Sequence, residues 1–361
     1  MKNYDSKNSK VRWEYQNWLQ DAEGLSESTI LAKLRAIKLY EDLFPGEDFA
    51  NFNSGKAKKF KERVANKTEN GVSISPLTYK KYLINLKMFF EWLSMEPGYI
   101  SKIDRNSLNY LKPSRKILAT ATGKRIIKYP SIEDVIKLIN SVEGDTEVSN
   151  RNRAIIAFAF LTGMRVMAIV SLPLKCVDLD EMVVSQDPRQ GVQTKFSKTI
   201  YSMIFNFDAG LLKCVVDWIN YLKDKGFKPE DPVFPKSKQE MKGNNRLFET
   251  PINVVPEYWI STSSIRGIFK QYSIKANVKY YTPQSYRHSA MNYAFKYAQN
   301  GADYKAISQN FGHENIATTF SIYGQLDPAD LIDRLKEITS KKSIQGKEIT
   351  KEQVIEYIKK L

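Results

Sequence analysis

The chain has 361 residues and is basic, with 55 lysines and arginines against 40 aspartates and glutamates and a net charge of +15. This length predicts two domains of ordinary size, each with its own core. No apolar run approaches the roughly 20 residues of a membrane span, and the first residues lack the apolar stretch of a signal peptide. Cys176 and Cys214 stand apart from any metal-ligand spacing, which predicts two inert thiols in a reducing cytoplasm.

The basic residues are concentrated in the first third of the chain. Residues 1–125 carry 23 lysines and arginines against 14 aspartates and glutamates, so +9 of the net charge lies there. A strongly basic surface suits a polyanionic partner, although lysine-rich proteins are often basic for no specific reason.

Residues 11–110 are predicted to form a helical domain after a flexible N-terminus at 1–10. Apolar residues recur at helical spacing around Tyr15 and again around Leu34. Ser26 or Ser28 is expected to cap the second helix, and Ser75 the fourth. The fourth helix, residues 77–93, is predicted to bury one apolar face and to carry three lysines, which are Lys80, Lys81 and Lys87.

Residues 111–128 read as a basic linker. Proline, glycine and basic residues, among them Arg115 and Lys116, alternate here without apolar periodicity. Such a segment can either cross a phosphate backbone as a strap or remain a plain solvated linker.

Residues 129–335 are predicted to form a second, α+β domain, in which Ser131 caps the first helix. Short strands are expected at 182–185, 191–194 and 199–205, and the polar stretch 236–258 reads as an insertion before a helix at 263–272. Residues 336–361 form a basic tail whose end, 351–361, is predicted to be helical.

Four short motifs of this domain contain residues suited to phosphoryl transfer. They are Leu161-Thr162-Gly163-Met164-Arg165, Tyr286-Arg287-His288, Phe311-Gly312-His313 and a segment ending at Tyr323, ten residues after His313. Arginine neutralises the non-bridging oxygens of a phosphodiester through two parallel hydrogen bonds. A phenol is a plausible nucleophile once cationic surroundings or a base favour the phenolate.

Two arginines, a histidine and a tyrosine in this order resemble the catalytic core of the tyrosine recombinases, the phage-integrase family, over residues 11–335. The resemblance implies a mostly α fold, with an N-terminal four-helix SAM-like core-binding domain and a catalytic domain that carries a small antiparallel sheet. It also implies site-specific DNA recombination for a mobile element, without metal or nucleotide cofactor. Implied partners are double-stranded DNA, further copies of the chain in a dimer or tetramer, and accessory recombination proteins. The implied location is the bacterial cytoplasm, in association with the nucleoid.

The resemblance also assigns roles to individual residues. Arg165 and Arg287 are expected to grip the scissile phosphate, His313 to donate to a non-bridging oxygen, and Tyr323 to act as the nucleophile. Lys195, in a predicted β-hairpin, is expected to protonate the leaving 5′ oxygen, with Lys198 as a competitor for that role.

This sequence departs from the family pattern at two positions. Ala168 stands where the family usually has an acidic residue, three positions after the first arginine, and Gln284 stands where a histidine usually precedes the second arginine by three. Glutamine can donate a hydrogen bond to phosphate but cannot hold the tyrosine proton as imidazole does. His288 lies about 100° around the helix from Arg287, which indicates a structural role.

The resemblance also implies DNA contacts in the first domain and in the linker that follows it. Lys80, Lys81, Lys87, Arg115 and Lys116 are expected to contact the phosphate backbone, although the three lysines of the fourth helix are equally compatible with a solvated face. Two further functions remain open: a non-catalytic DNA-binding descendant, which Ala168 and Gln284 would suit, and a type IB topoisomerase.

Overall fold

A computed structural model describes residues 6–69, 72–122, 128–238, 241–242, 247–248 and 251–312. The chain divides into two compact units, Met1–Arg125 and Ile126–Leu361. The predicted tail helix at 351–361 lies outside the described residues. No helix within the described ranges is long and apolar enough to cross a membrane.

The first unit is built from helices packed around aromatic side chains. Phe52 and Phe90 stack with ring centroids 3.9 Å apart, and Tyr40 meets Phe90 edge-on. Because aromatic side chains bury large areas, this cluster dominates the core of the unit. The helices are α1 Ser6–Asp21, α2 Glu27–Leu43, α3 Ser54–Ala65, α4 Pro76–Leu93 and α5 Arg115–Thr122.

Side-chain capping occurs at the start of α4, as the sequence predicts, but not through Ser26 at the start of α2. The Ser75 hydroxyl accepts a hydrogen bond from the Thr78 backbone N–H, and Pro76 occupies the first turn of α4. Ser26 is the residue before α2, but its side chain makes no capping hydrogen bond to the helix backbone. Its hydroxyl instead pairs with those of Ser28 and Thr29.

Between the main helices the first unit has short connecting elements. Strands β1 Thr68–Glu69 and β2 Val72–Ser73 pair antiparallel between α3 and α4. Helix α5 occupies part of the segment predicted as a basic linker, and its Ile117 packs against the core of the first unit. The predicted domain boundaries themselves stay a prediction.

The second unit is organised around helix α7, which is buried on nearly every face along its last nine residues. A helix that is apolar all round belongs in the centre of a core. Ser131 caps α6 through a capping box with Asp134, as predicted for this serine. The helices are α6 Ile132–Asn140, α7 Glu147–Thr162, α8 Val166–Val170, α9 Ala209–Asp224, α10 Ser263–Lys275, α11 Pro283–Phe295 and α12 Gly301–Asn310.

A small antiparallel sheet of three strands accompanies these helices, in the order β3 Val177–Asp178, β4 Val183–Gln186 and β5 Ile200–Met203. β4 and β5 pair along four residues, with Gln186 opposite Ile200. The prediction of a strand at 191–194 is wrong, because this segment belongs to the long loop between β4 and β5. The mostly α fold with a small antiparallel sheet is confirmed.

The segment predicted as an insertion contains short strands where the structure describes it. β6 Lys236–Ser237 pairs with β9 Val254–Val255, and β7 Met241–Lys242 pairs with β8 Leu247–Phe248. The buried guanidinium of Arg151, on α7, donates to the Pro235 carbonyl and to the Ser237 hydroxyl. This arginine therefore ties the start of the segment to the central helix.

Candidate active site

The turn that carries Arg165 is a tight link between α7 and α8. Gly163 ends α7 in the left-handed region at φ 57° and ψ 23°, a conformation that glycine adopts without steric cost. A Cβ atom at Gly163 would lie 2.2 Å from Cε1 of Phe311, so no larger residue fits. Arg165 then takes the N-cap position of α8, with a half-buried side chain.

Arg287 connects this turn to the segment that leads towards His313. Its side chain, 3% exposed on α11, donates through one terminal nitrogen to the Gly163 carbonyl at 2.8 Å and through the other to the Phe311 carbonyl. Its guanidinium also lies over the Phe311 ring at 5.3 Å. Both backbone carbonyls come from irregular turns, where such groups are costly to leave unpaired.

The end of α12 is fixed against strand β5. The Ser202 hydroxyl donates to the Asn310 carbonyl at 2.7 Å, and the Met203 N–H donates to Oδ1 of Asn310 at 2.6 Å. Gly312 has φ 65°, and a Cβ atom there would lie 2.4 Å from Cδ1 of Ile200. These contacts fix the chain at residue 312, immediately before His313.

His313 and Tyr323 lie outside the described residues. Their predicted roles in the chemistry therefore stay predictions. The sequence contains two histidines in all, His288 and His313, so any imidazole of the site comes from one of them.

Lys195 lies in the loop that joins β4 to β5, and its side chain is exposed. The loop is anchored at several points. The Gln193 N–H donates to the Ser171 hydroxyl oxygen at 2.7 Å, and the Thr194 hydroxyl donates to the Lys198 carbonyl at 2.7 Å. Because Ser171 is the C-cap residue of α8, these bonds tie the Lys195 loop to the helix that Arg165 begins.

Gln284 is exposed on the first turn of α11, where its amide is open to a ligand. Ala168, by contrast, is buried within the hydrophobic core of the second unit. Burial, and then the neighbouring charge of Arg287, lower the pKa of half-buried His288. A neutral, partly buried imidazole agrees with the structural role expected for this histidine.

The predicted DNA contacts of the first unit differ in their surroundings. Lys81 is exposed and Lys80 is half-buried on α4. Lys87 is paired with Glu91 one turn further along the same helix, so part of its charge is compensated. Arg115 is exposed on α5; the side chain of Lys116 lies outside the described part of the chain.

Two residues that stabilise the Lys195 loop were missed by sequence reasoning. Ser171 holds the loop through its hydroxyl, as described above. The Asp187 carboxylate accepts hydrogen bonds from the backbone and guanidinium of Arg189, and these bonds lower the pKa of Asp187. The Asp-Pro pair at this point is a turn signal that could have been read from the sequence. The contact of Ser171 with residue 193 gives no such local signal.

Comparison with known proteins identifies relatives of this chain. The chain is 24% identical over 307 residues to the tyrosine recombinase XerD of Staphylococcus epidermidis, a match that covers 85% of this chain and 90% of that protein. It is 23% identical to a probable integrase/recombinase of Aquifex aeolicus, with 86% and 94% covered.

Solved structures share the fold at lower identity. The Tn1549 transposon integrase, in complex with a circular intermediate DNA, matches with a TM-score of 0.60 at 17% identity, covering 91% of this chain and 99% of that chain. The XerH site-specific recombinase bound to its difH substrate matches with a TM-score of 0.56 at 15% identity, covering 92% and 85%. The phage integrase family profile matches residues 131–330. The chain therefore belongs to the phage integrase family and is a tyrosine recombinase.

Proposed function

We propose that this recombinase breaks and rejoins duplex DNA at specific sites through a 3′-phosphotyrosyl intermediate, to integrate or excise a mobile element. The observation that carries the proposal is the position of Arg287. Its guanidinium bonds to the turn before Arg165 and to the turn before His313. Three motifs that lie far apart in the sequence thus meet at one buried side chain, as a single phosphate site requires.

The proposed reaction is an exchange of one phosphodiester for another. The Tyr323 oxygen forms a bond to the scissile phosphorus as the bond to the 5′ oxygen breaks, and Lys195 gives its proton to that leaving oxygen. Arg165 and His313 donate hydrogen bonds to the non-bridging oxygens as negative charge develops on them. The 5′ hydroxyl of a second strand then attacks the phosphotyrosine, gives its proton to the now neutral Lys195, and releases Tyr323 as the phenolate.

Arg287 has two tasks in this proposal. Its charge lies next to the turn of Arg165, and charge at this place stabilises the transferring phosphoryl group. Its hydrogen bonds also hold the Gly163 and Phe311 carbonyls in place. It therefore acts both on the phosphate and as the residue that positions the other groups.

Deprotonation of Tyr323 depends on what replaces the usual imidazole. Gln284 is exposed at the helix start and cannot accept a proton. A carboxylate at position 168 would be buried in an apolar core, which is costly without a partner, so the two departures fit together. We expect cleavage to be slow at neutral pH and faster at alkaline pH, where more phenolate is present.

The proposed partner is duplex DNA, bound by the basic first unit and by the catalytic unit. Exposed Lys81 and Arg115 supply charge for phosphate contacts in the first unit. Rejoining to a second strand requires two duplexes in one assembly, so we propose self-association into dimers and tetramers on DNA, with accessory recombination proteins setting direction.

The test uses duplexes recovered by binding selection from a random-sequence pool, with a nick placed so that the cleaved fragment diffuses away. We expect a covalent protein–DNA band on a denaturing gel, and complete loss of this band in Tyr323→Phe with nearly unchanged DNA affinity. DNA binding without any covalent band would establish the non-catalytic descendant instead. Cleavage without strand exchange between two duplexes would establish a topoisomerase.

A further inference from the structure

The loop between β4 and β5 presents an aromatic ring to solvent. Phe196 is 74% exposed, although it lies in the middle of a loop that is anchored on both sides. The ammonium nitrogen of Lys195 is 4.6 Å from the ring centroid, and that of Lys198 is 5.8 Å from it. A single exposed aromatic residue is ordinary, but a ring with two ammonium groups within about 6 Å of its centroid is a specific arrangement.

The backbone under this ring is unusual for its residue type. Phe196 has φ 61° and ψ 26°, and Ser197 follows with φ 50°. This left-handed region is disfavoured for residues with a bulky side chain, because Cβ comes too close to a carbonyl oxygen. A glycine or asparagine would adopt it at lower cost. Since the ring is exposed, burial does not offset that cost, and such outliers are concentrated at functional sites.

The surroundings of the ring indicate the kind of partner. An apolar protein surface that covered Phe196 would also have to desolvate two ammonium groups, which is unfavourable. A nucleic acid has both features that fit: flat bases that stack on aromatic rings, and phosphates next to them that attract lysines. The bond from Gln193 to Ser171 ties this loop to α8, so the ring belongs to the candidate active site.

We propose that Phe196 stacks on a base of the DNA substrate beside the scissile phosphate, while Lys198 contacts the neighbouring phosphate. The inference rests on the proposed function, in which Lys195 serves the leaving oxygen of that phosphate. Phe196 is then a positioning residue. A base that stacks on it must partly leave the stack of its own duplex, and the ring holds this base so that the 5′ oxygen stays in reach of Lys195. Tyr201 is also exposed, but it lies on strand β5, and we propose no base contact for it.

The test places 2-aminopurine, whose fluorescence depends on stacking, at successive positions of the selected duplex. The full chain carries Tyr323→Phe in all samples, so the signal does not depend on cleavage. We expect a fluorescence change at one or two adjacent positions, its loss in Phe196→Gly, and its retention in Phe196→Tyr. Phe196→Gly should also bind the duplex roughly 10-fold more weakly, as loss of one base–aromatic stack predicts. Tyr201→Ala is the matched aromatic control and should keep the signal.

The outcomes distinguish base stacking from a role of Phe196 in the fold, and from the recombinase reaction itself. A position-specific signal that persists in Phe196→Gly overturns the inference. A melting temperature several degrees lower in Phe196→Gly, with unchanged fluorescence and affinity, would show that the ring serves the fold. If the signal requires Phe196 but the chain with Tyr323 restored forms no covalent adduct, the stacking stands and the recombinase reaction fails. If the adduct forms and Phe196 has no effect, only the stacking fails.

Discussion

The first unit packs its helices around aromatic rings, whereas the second unit contains buried arginines that hold its irregular segments. In the first, stacked and edge-on contacts such as those of Phe90 fill the core. In the second, Arg151 and Arg287 are almost fully buried, and both donate to backbone carbonyls. Apolar packing fixes regular helices, but turns leave carbonyls unpaired and need polar side chains to satisfy them.

This difference in packing agrees with the functions proposed for the two units, which are DNA binding and phosphoryl transfer. A surface that binds the phosphate backbone needs exposed charge on stable helices, and the first unit offers this on α4 and α5. A phosphoryl-transfer site needs groups from distant parts of the chain within a short distance of one another. The buried guanidinium of Arg287 supplies that connection in the second unit.

The largest effects are expected from replacing Arg165 and Arg287, the two arginines of the candidate site. Arg165→Ala and Arg287→Ala should each slow covalent complex formation by roughly 10³-fold, because charge at the developing phosphorane is lost. Arg287→Ala should in addition lower the free energy of unfolding by about 3 kcal/mol, since two buried carbonyls lose their donor. Cleavage rates and urea unfolding measure the two effects separately.

Arg266, exposed on α10, is the matched arginine control. Arg266→Ala should change neither the cleavage rate nor the stability. If Arg287→Ala unfolds at the same urea concentration as the unsubstituted chain, its hydrogen bonds to the two turns do not stabilise the second unit.

The sequence predicted those features that depend on neighbouring residues. The caps at Ser75 and Ser131 act within one helical turn, so a short motif contains all that is needed. The prediction of a strand at 191–194 was wrong, because the side chains of Asp187 and Ser171 organise this loop. Ser171 lies 22 residues from Gln193, whose N–H it binds. The order of the candidate-site motifs could be recognised in the sequence, but the hydrogen bonds of Arg287 could not be predicted from it. They join residues 124 and 24 positions apart, which no local pattern encodes.

A second prediction concerns an ion pair of the first unit in which Glu41 is buried and Arg12 is half-buried. Arg12 pairs with Glu41 at 2.7 Å, and burial raises the pKa of Glu41 while Arg12 opposes the rise. Arg12→Ala leaves a buried carboxylate without its partner and should cost about 3 kcal/mol near neutral pH. Because the raised pKa favours the protonated form, the loss should be smaller below the usual glutamate pKa of about 4.3 and grow as pH rises.

Hydrogen exchange measured on the full chain shows which of the two units the substitution destabilises. Arg12→Ala should lose protection in peptides from α1 and α2 but not from α7, and Arg12→Ala with Glu41→Gln should recover much of it. Equal loss in α7 would mean that the pair stabilises more than the first unit.

The third prediction concerns the charge on α4. Replacing Lys80 and Lys81 by alanine should reduce the slope of log affinity against log salt by about 2, one unit per phosphate contact. Adding Lys87→Ala should change the slope little, since Lys87 is paired with Glu91. The measurement is a titration of the selected duplex at several salt concentrations.

Helix α3 offers a matched set of basic residues for this comparison. Lys58, Lys59 and Arg63 are exposed there, and their replacement by alanine should leave the slope largely unchanged. The reverse result, with α3 sensitive and α4 insensitive, would move the DNA-binding face to α3.

The smallest effect is expected from His288, on the helix of Arg287. Its pKa is lowered in the folded chain by burial and then by Arg287, so the unfolded chain binds the proton more readily. The stability that neutral His288 contributes is therefore complete above its usual pKa of about 6.5 and is lost as pH falls below that value. His288→Gln should flatten the decline in melting temperature between about pH 7 and pH 5.5. The other histidine is His313, so His313→Gln measured alongside assigns the remaining change. A decline that disappears in His313→Gln and persists in His288→Gln would place the titrating imidazole at residue 313.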